Sequence, residues 1–187
     1  HALGYAALAV TDECSLGGVV RAHAEARRLG LHLIVGAEMA LQRTSAAAAA
    51  VGPSSEGAVG EAEKAEVDAA ATGPHLILLA MSRRGYGNLS QWVTVARRRA
   101  AKGQYLAHPS DVEGRVPHAP YLAGLPDCTA LLLPGALQSF ETVFAHAMWL
   151  KTWFGVERAF IAVELLHQVH DALLADVAQR VAHSTGL

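Results

Sequence analysis

Short apolar runs that lack a helical period alternate along this chain with segments whose apolar residues fall at helical spacing, and that alternation constrains the fold more than any other feature. Tyr5 to Val10 (YAALAV), Leu31 to Leu41 (LHLIVGAEMAL), His75 to Ala80 (HLILLA), Thr129 to Leu133 and Phe160 to Leu165 (FIAVEL) read as strands, because near-continuous apolar runs suit strands covered on both faces. Ser15 to Leu29, Tyr86 to Ala101, Leu137 to Phe154 and Asp171 to Ser184 read as helices. In the first of them Leu16, Val19, Val20 and Ala26 share one face, while Arg21, Glu25, Arg27 and Arg28 supply the wet side. Ser15 is its expected cap and Gly30 its expected end. His1 to Gly4 reads as the last turn of a preceding helix, and Gly186-Leu187 as the entry to a further strand. The resulting order predicts parallel strands joined by crossover helices, with both termini cutting through the rhythm. In such layered α/β folds and barrels, functional groups collect at the carboxyl ends of the strands.

Two segments break the pattern. Gln42 to Pro74 holds five consecutive alanines, a Gly-Pro-Ser-Ser-Glu-Gly stretch and an acidic run; it lacks the large apolar side chains that offset ordering entropy, so it reads as a low-complexity insertion or flexible excursion. Gly103 to Asp127 is rich in Pro, Gly and His and reads mainly as loop, with a turn of helix around Pro109 to Val112. The 187 residues suit one domain, short of the roughly 250 that a closed eight-unit barrel takes. With 52% hydrophobic but only 6% aromatic residues, the core must rest on Leu, Ile and Val. Fifteen Lys and Arg against 17 Asp and Glu give a net charge of −2, which excludes a surface built throughout to hold nucleic acid. Cys14 and Cys128 are too few for a disulfide framework. Without a signal-peptide layout or an apolar run of about 18 residues, the reading is a cytoplasmic protein with no membrane partner.

Several residues are placed to do chemistry. Asp12 and Glu13 follow the first strand, Glu38 lies at or beyond the carboxyl end of the second, and His75 opens the third; oxygen and imidazole donors of this kind suit zinc, manganese, iron or magnesium. By spacing alone the simpler reading stands beside it: Asp12 caps the following helix, Glu38 is solvated and His75 merely begins a strand. His167 and His170, and His108 and His118 near Asp111 and Glu113, are exposed pairs before they are ligands. Arg83, Arg84, Arg97, Arg98, Arg99 and Lys102 form the one strong charge block. Its last four members, Arg97, Arg98, Arg99 and Lys102, are candidates for phosphate contacts, or else complement a helix carboxyl end. Trp92, Trp149 and Trp153 sit at core-like spacing, and both cysteines read as inert. No Ser-His-Asp order, phosphate-cradling glycine motif or CxxC pair is present.

Three segments, GYAALAVTDECSLGGVVRAHAEARRLGLHLIVGAEM, HLILLAMSRRGYGNL and FGVERAFIAVELL, together resemble the N-terminal PHP (polymerase and histidinol phosphatase) domain of bacterial C-family DNA polymerases, which are DNA polymerase III alpha-like. The likeness is greatest to the error-prone, damage-inducible branch. It runs from Ala2 to about Leu187, the Gln42 to Pro74 excursion apart. The resemblance implies α/β architecture: an incomplete, distorted TIM-like barrel of about seven βα units, with parallel strands, outer helices and both ends truncated, so that residues 1–187 form a single partial PHP domain with 42–74 inserted in it. It also implies a metal cluster at the barrel mouth, in which Asp12 matches the aspartate of a Thr-Asp-His motif, Glu38 the glutamate after a Gly turn, and His75 the histidine heading the next strand. Two positions depart from the pattern: Glu13 stands where metal-binding members have histidine, and Ala136 where some have cysteine. The family's His-x-His and Gly-Asp-x-His elements would lie before His1 and after Leu187. Each missing ligand weakens metal binding, so the expectation is a degenerate site at Asp12, Glu13, Glu38 and His75 with no cofactor bound and no catalytic residue in this chain, although zinc, manganese or magnesium is the ion such a site would take. The implied function is a structural module of an error-prone polymerase that performs translesion synthesis in DNA damage repair. Nucleotidyl transfer would then come from palm-domain acids elsewhere, and the partners would be the rest of the polymerase, DNA and accessory translesion proteins. The alternatives are a metal-dependent phosphoesterase or exonuclease, and a nucleic-acid binding module built on the Arg-rich helix.

Overall fold

The computed structural model describes residues 3–42 and 72–187. Five strands, β1 (Ala7–Val10), β2 (His32–Gln42), β3 (Thr72–Ala80), β4 (Cys128–Leu132) and β5 (Ala159–Ile161), form one sheet in chain order. Four helices alternate with them: α1 (Val19–Leu29), α2 (Arg83–Arg98), α3 (Phe140–Phe154) and α4 (Asp171–Thr185). β1 and β5 are the sheet's free edges among the described residues, so the sheet stays open.

The βα rhythm read from the sequence is present, with one reversal. β1 pairs β2 in parallel and β4 pairs β5 in parallel, but β3 is antiparallel to both β2 and β4. The expectation of parallel strands throughout fails here for a geometric reason. Gln42 and Thr72 are register partners, so the chain ends that residues 43–71 connect lie side by side, and strands joined at adjacent ends are antiparallel. The expected excursion itself lies almost wholly outside the described residues.

Local chemistry sets the element ends. Ser82 and Ser139, both extended, accept hydrogen bonds from Gly85 N–H and Thr142 N–H and so cap α2 and α3. α1 begins later than expected: Ser15 Oγ takes the Gly17 N–H in a preceding turn, and Gly18 is the residue at the helix start. At the other end Gly30, at φ 66°, closes α1. Gly186, at φ 70°, closes α4 in the same manner. β5 is shorter than the Phe160 to Leu165 run, which leaves Glu164 beyond the strand's carboxyl end. The Pro-rich loop contains a wide turn at Asp111–Arg115 and a 3-10 turn at Pro120–Leu122.

Register divides the sheet into two faces, because paired residues point to the same side. One face carries Ala37, Met39, Leu76, Leu78, Ala130, Leu132 and Ala159, all essentially buried, and packs with Leu89, Trp92 and Ala96 of α2 and Val143, Ala147 and Leu150 of α3. This is the core, and each fully buried Leu there contributes about 1.5–3 kcal/mol. Glu38, Ala40, His75, Ile77, Leu131 and Phe160 fall on the other face, which is only part-buried, Phe160 being 44% exposed. The chemistry-bearing residues of β2 and β3 therefore sit on the wetter side.

Candidate functional site

The turn after β1 is tied to β2 by its backbone. Glu38 N–H donates to the Asp12 carbonyl at 3.2 Å and Cys14 N–H to the Glu38 carbonyl at 2.8 Å, so parallel pairing continues past Val10 and sets Glu13 opposite Glu38. Glu38 thus lies inside β2 and not beyond its end, because β2 runs on to Gln42. On the far side of β2, Ala40 partners His75 in the antiparallel register. That offset brings the Glu38 carboxylate and the His75 ring together, with Oε1 and Nε2 2.8 Å apart. The pair is 35% and 40% exposed, and at such exposure an ion pair adds at most about 1 kcal/mol to stability.

Asp12 and Glu13 share the neighbourhood through the backbone, but their side chains have other company. The Asp12 carboxylate lies by Gly18 at the amino end of α1, where an added Cβ would stand 3.2 Å from Oδ2; an anion there is favoured by the helix dipole, but α1 has no side-chain cap hydrogen bond, so the expected capping by Asp12 is not formed. Glu13 lines a shallow groove of about 430 Å³ with Gln42, Arg97, Gln104 and Tyr105. The Tyr105 hydroxyl accepts the Ala40 N–H at 3.0 Å. Burial, opposed by that backbone bond and aided by the Glu13 carboxylate, pushes the Tyr105 phenol up to about 12. Among the described residues no three His, Cys, Asp or Glu side chains converge as a metal would require.

His75 also lines a second cavity, of about 350 Å³, together with Ala136, Gln138, Glu164 and Asp171. Ala136, the position at which the resemblance marked a missing cysteine, therefore faces the same space as His75, and a methyl group supplies no donor. Glu164 and Asp171 were not singled out from the sequence. Glu164 stands after a strand, the placement used to pick Asp12, but the apolar FIAVEL run hid it inside an expected strand. Among the described residues no Lys or Arg lines this cavity, so Glu164 and Asp171 are the charged groups on a wall that is otherwise apolar or neutral apart from the imidazole.

The cationic block divides by partner. Arg97 donates to four carbonyls, those of Cys14 (3.0 Å), Glu13 (3.1 Å), Gly103 (3.2 Å) and Gln104 (3.3 Å), and its guanidinium lies 5.6 Å from the Tyr105 ring centroid. Arg99 binds Asp111 at 2.7 Å. Asp111, 2% exposed, also accepts from Trp92 Nε1 at 3.1 Å and His108 N–H at 3.0 Å. Burial by itself would raise the Asp111 carboxyl; the Arg99, His108 and Trp92 hydrogen bonds outweigh it and hold the group below its ordinary value. Arg84 grips Asp127 with two bonds of 2.8 Å and, together with the Ser82 hydroxyl, lowers that carboxyl to about 2. Of the four cations that were candidates for phosphate contacts, Arg97 and Arg99 are thus engaged within the protein, while Arg98 and Lys102 are exposed. His108 is held by the Gln42 carbonyl, and His167 and His170 are exposed. Trp92 and Trp149 spend their N–H groups on Asp111 and Glu113, as packing residues do. Burial raises both thiols, Cys128 to about 12.

Comparison with known proteins places this geometry among relatives. The family profile described as PHP domain matches residues 1–131. The error-prone DNA polymerase of Bordetella parapertussis is 42% identical over 185 residues, covering 99% of this chain and 15% of the relative. That of Methylococcus capsulatus is 39% identical over 185 residues, 99% of this chain and 14% of the relative. That of Dechloromonas aromatica is 43% identical over 171 residues, 91% of this chain and 13% of the relative. The chain therefore spans about 15% of the length of the curated relatives it matches. Among solved structures, one from Bifidobacterium adolescentis described as a metal-dependent phosphoesterase superposes with a TM-score of 0.51, covering 96% of this chain and 75% of that one at 12% identity, a likeness of fold.

Proposed function

The chain belongs to the PHP domain family, and from that premise we propose that it is the PHP module of a C-family, error-prone DNA polymerase used in translesion synthesis during DNA damage repair, with a role that is mainly structural. Its partners would be the remainder of the polymerase, DNA through that larger protein, and accessory translesion proteins, in the cytoplasm. Among the described residues no helix is long and apolar enough to cross a membrane.

One observation carries the structural reading. Glu38 and His75 satisfy each other at 2.8 Å, while the Asp12 carboxylate sits at a helix start and Glu13 lies by Tyr105 and Arg97. A multinuclear centre needs several donors aimed at common points, and the described donor set does not fit one: the two groups in contact are already each other's partner, and the cavity beside them presents Ala136. Asp12, Glu13, Glu38 and His75 are on this reading the remnant of a metal site. Polymerisation would then reside in parts of the protein beyond this chain.

The competing reading is a working metal-dependent phosphoesterase, and the description of the solved neighbour favours it. An assay of the full-length polymerase on a p-nitrophenyl phosphodiester and on single-stranded DNA, with Asp12→Ala and His75→Ala beside the parent protein, separates the two. The structural reading predicts hydrolysis no higher in the parent than in either variant. Turnover that Asp12→Ala and His75→Ala each abolish would overturn it. For the nucleic-acid alternative the exposed pair Arg98 and Lys102 remains.

A further inference from the structure

Arg97 sits within the cationic block, where its charge invites a phosphate assignment, yet its guanidinium donates to four backbone carbonyls. Nε and Nη2 donate to the Cys14 and Glu13 carbonyls, and Nη1 to the Gly103 and Gln104 carbonyls. The first two belong to the turn that carries Asp12, and the other two to the loop leaving α2. Beneath the guanidinium lies the Tyr105 ring, whose hydroxyl takes the Ala40 N–H of β2, and Leu106 N–H returns to the Ala96 carbonyl of α2. Three separate stretches of chain therefore meet on one planar cation and the aromatic ring under it. A guanidinium suits this task because its donors point outward in a fixed fork, whereas an ammonium is a compact point charge on a flexible stem.

We propose that Arg97 is a positioning residue: with Tyr105 it clamps the Glu13-Cys14 turn and the Gly103-Gln104 loop against β2, and so fixes where Asp12 and Glu38 stand relative to His75. The route is continuous. Arg97 holds the Cys14 carbonyl, Cys14 N–H holds the Glu38 carbonyl, and the Glu38 side chain holds His75. The proposal rests on reading Asp12, Glu38 and His75 as the site, but its mechanical content needs no metal, no substrate and no turnover.

Peptide-resolved hydrogen exchange on the full-length polymerase tests it, with Arg97→Lys, Arg97→Gln, Tyr105→Phe and Arg98→Gln compared with the parent. Arg97→Lys keeps the charge and loses the fork. Exchange is expected to quicken about tenfold or more in peptides covering residues 12–16, 36–42 and 103–107, and to stay unchanged in α3, whose backbone lies outside the clamp; tenfold corresponds to about 1.4 kcal/mol of local opening. Tyr105→Phe is expected to quicken 36–42 alone, and Arg98→Gln nothing. A helix-dipole role depends on charge alone, so full protection in Arg97→Lys would overturn the clamp, as would acceleration spread evenly over the domain. Should Arg97→Gln fail to fold, Arg97→Lys and Tyr105→Phe still decide. Hydrolysis by the parent protein would refute the structural-module reading and leave the clamp standing, whereas an unresponsive exchange pattern would do the reverse.

Discussion

Replacing Asp111 by alanine removes the acceptor on which three donors converge: Arg99 at 2.7 Å, Trp92 Nε1 at 3.1 Å and His108 N–H at 3.0 Å. Removing one partner of a buried ion pair costs about 3–5 kcal/mol. Arg99 is itself 25% exposed, so water recovers part of its solvation and the pair belongs at the low end of that range. Trp92 is fully buried, and an indole N–H left without an acceptor there costs about 1–3 kcal/mol. These losses overlap, so about 3–4 kcal/mol is expected for Asp111→Ala. Urea unfolding followed by tryptophan emission reads this directly, because Trp92 is one of the donors; at a slope of about 2 kcal/mol per molar, the midpoint should fall by about 1.5–2 M. The effect also carries a pH signature. Since Asp111 titrates below its unfolded value, its stabilisation is fully present above about pH 4 and is lost as pH falls through the folded-state value. The parent should therefore lose stability on acidification more steeply than the variant. A loss below about 1 kcal/mol, or identical acid limbs, would refute the reasoning.

Other consequences follow from single contacts. At Gly85 an added Cβ would collide with the Asp127 carbonyl, so Gly85→Ala should cost about 1–3 kcal/mol by forcing α2 off the loop before β4, visible as a lowered urea midpoint. Cys128, its thiol pushed up to about 12 by burial, should resist a thiol reagent at pH 8 in the folded protein and react in denaturant; rapid native labelling would contradict the buried placement. If the cationic block acts on nucleic acid at all, Arg98→Gln with Lys102→Gln should lower the salt slope of DNA binding by up to about two, because each contact contributes roughly one.

The layered α/β architecture was legible in the sequence because runs such as HLILLA and LHLIVGAEMAL lie in one continuous core and show it in their composition. The direction of β3 was not legible: period and composition are the same for a strand running either way, and only the pairing of Gln42 with Thr72 reveals the turn back. Glu38 and His75 were brought together in the sequence as residues at strand ends, whereas both lie inside their strands, β2 running to Gln42 and β3 starting at Thr72, and their mutual bond depends on the antiparallel offset. Arg97 and Arg99 misled for the opposite reason. A run of cations looks the same in sequence whether its targets are phosphates or carbonyls supplied by turns 83 or 84 residues distant. Glu164 escaped notice because the apolar run before it continues past the point where β4 stops offering hydrogen-bond partners.

On the proposed structural reading, Glu38 and His75 partner each other at 2.8 Å and, with Asp12, hold no ion cluster. Elemental analysis of the full-length polymerase, purified without chelator and then dialysed against micromolar zinc and manganese, addresses that reading most directly when repeated on the triple variant Asp12→Ala, Glu38→Gln, His75→Ala. The account predicts the same metal content in parent and variant. Two or more ions per chain in the parent, lost in the variant, would contradict it.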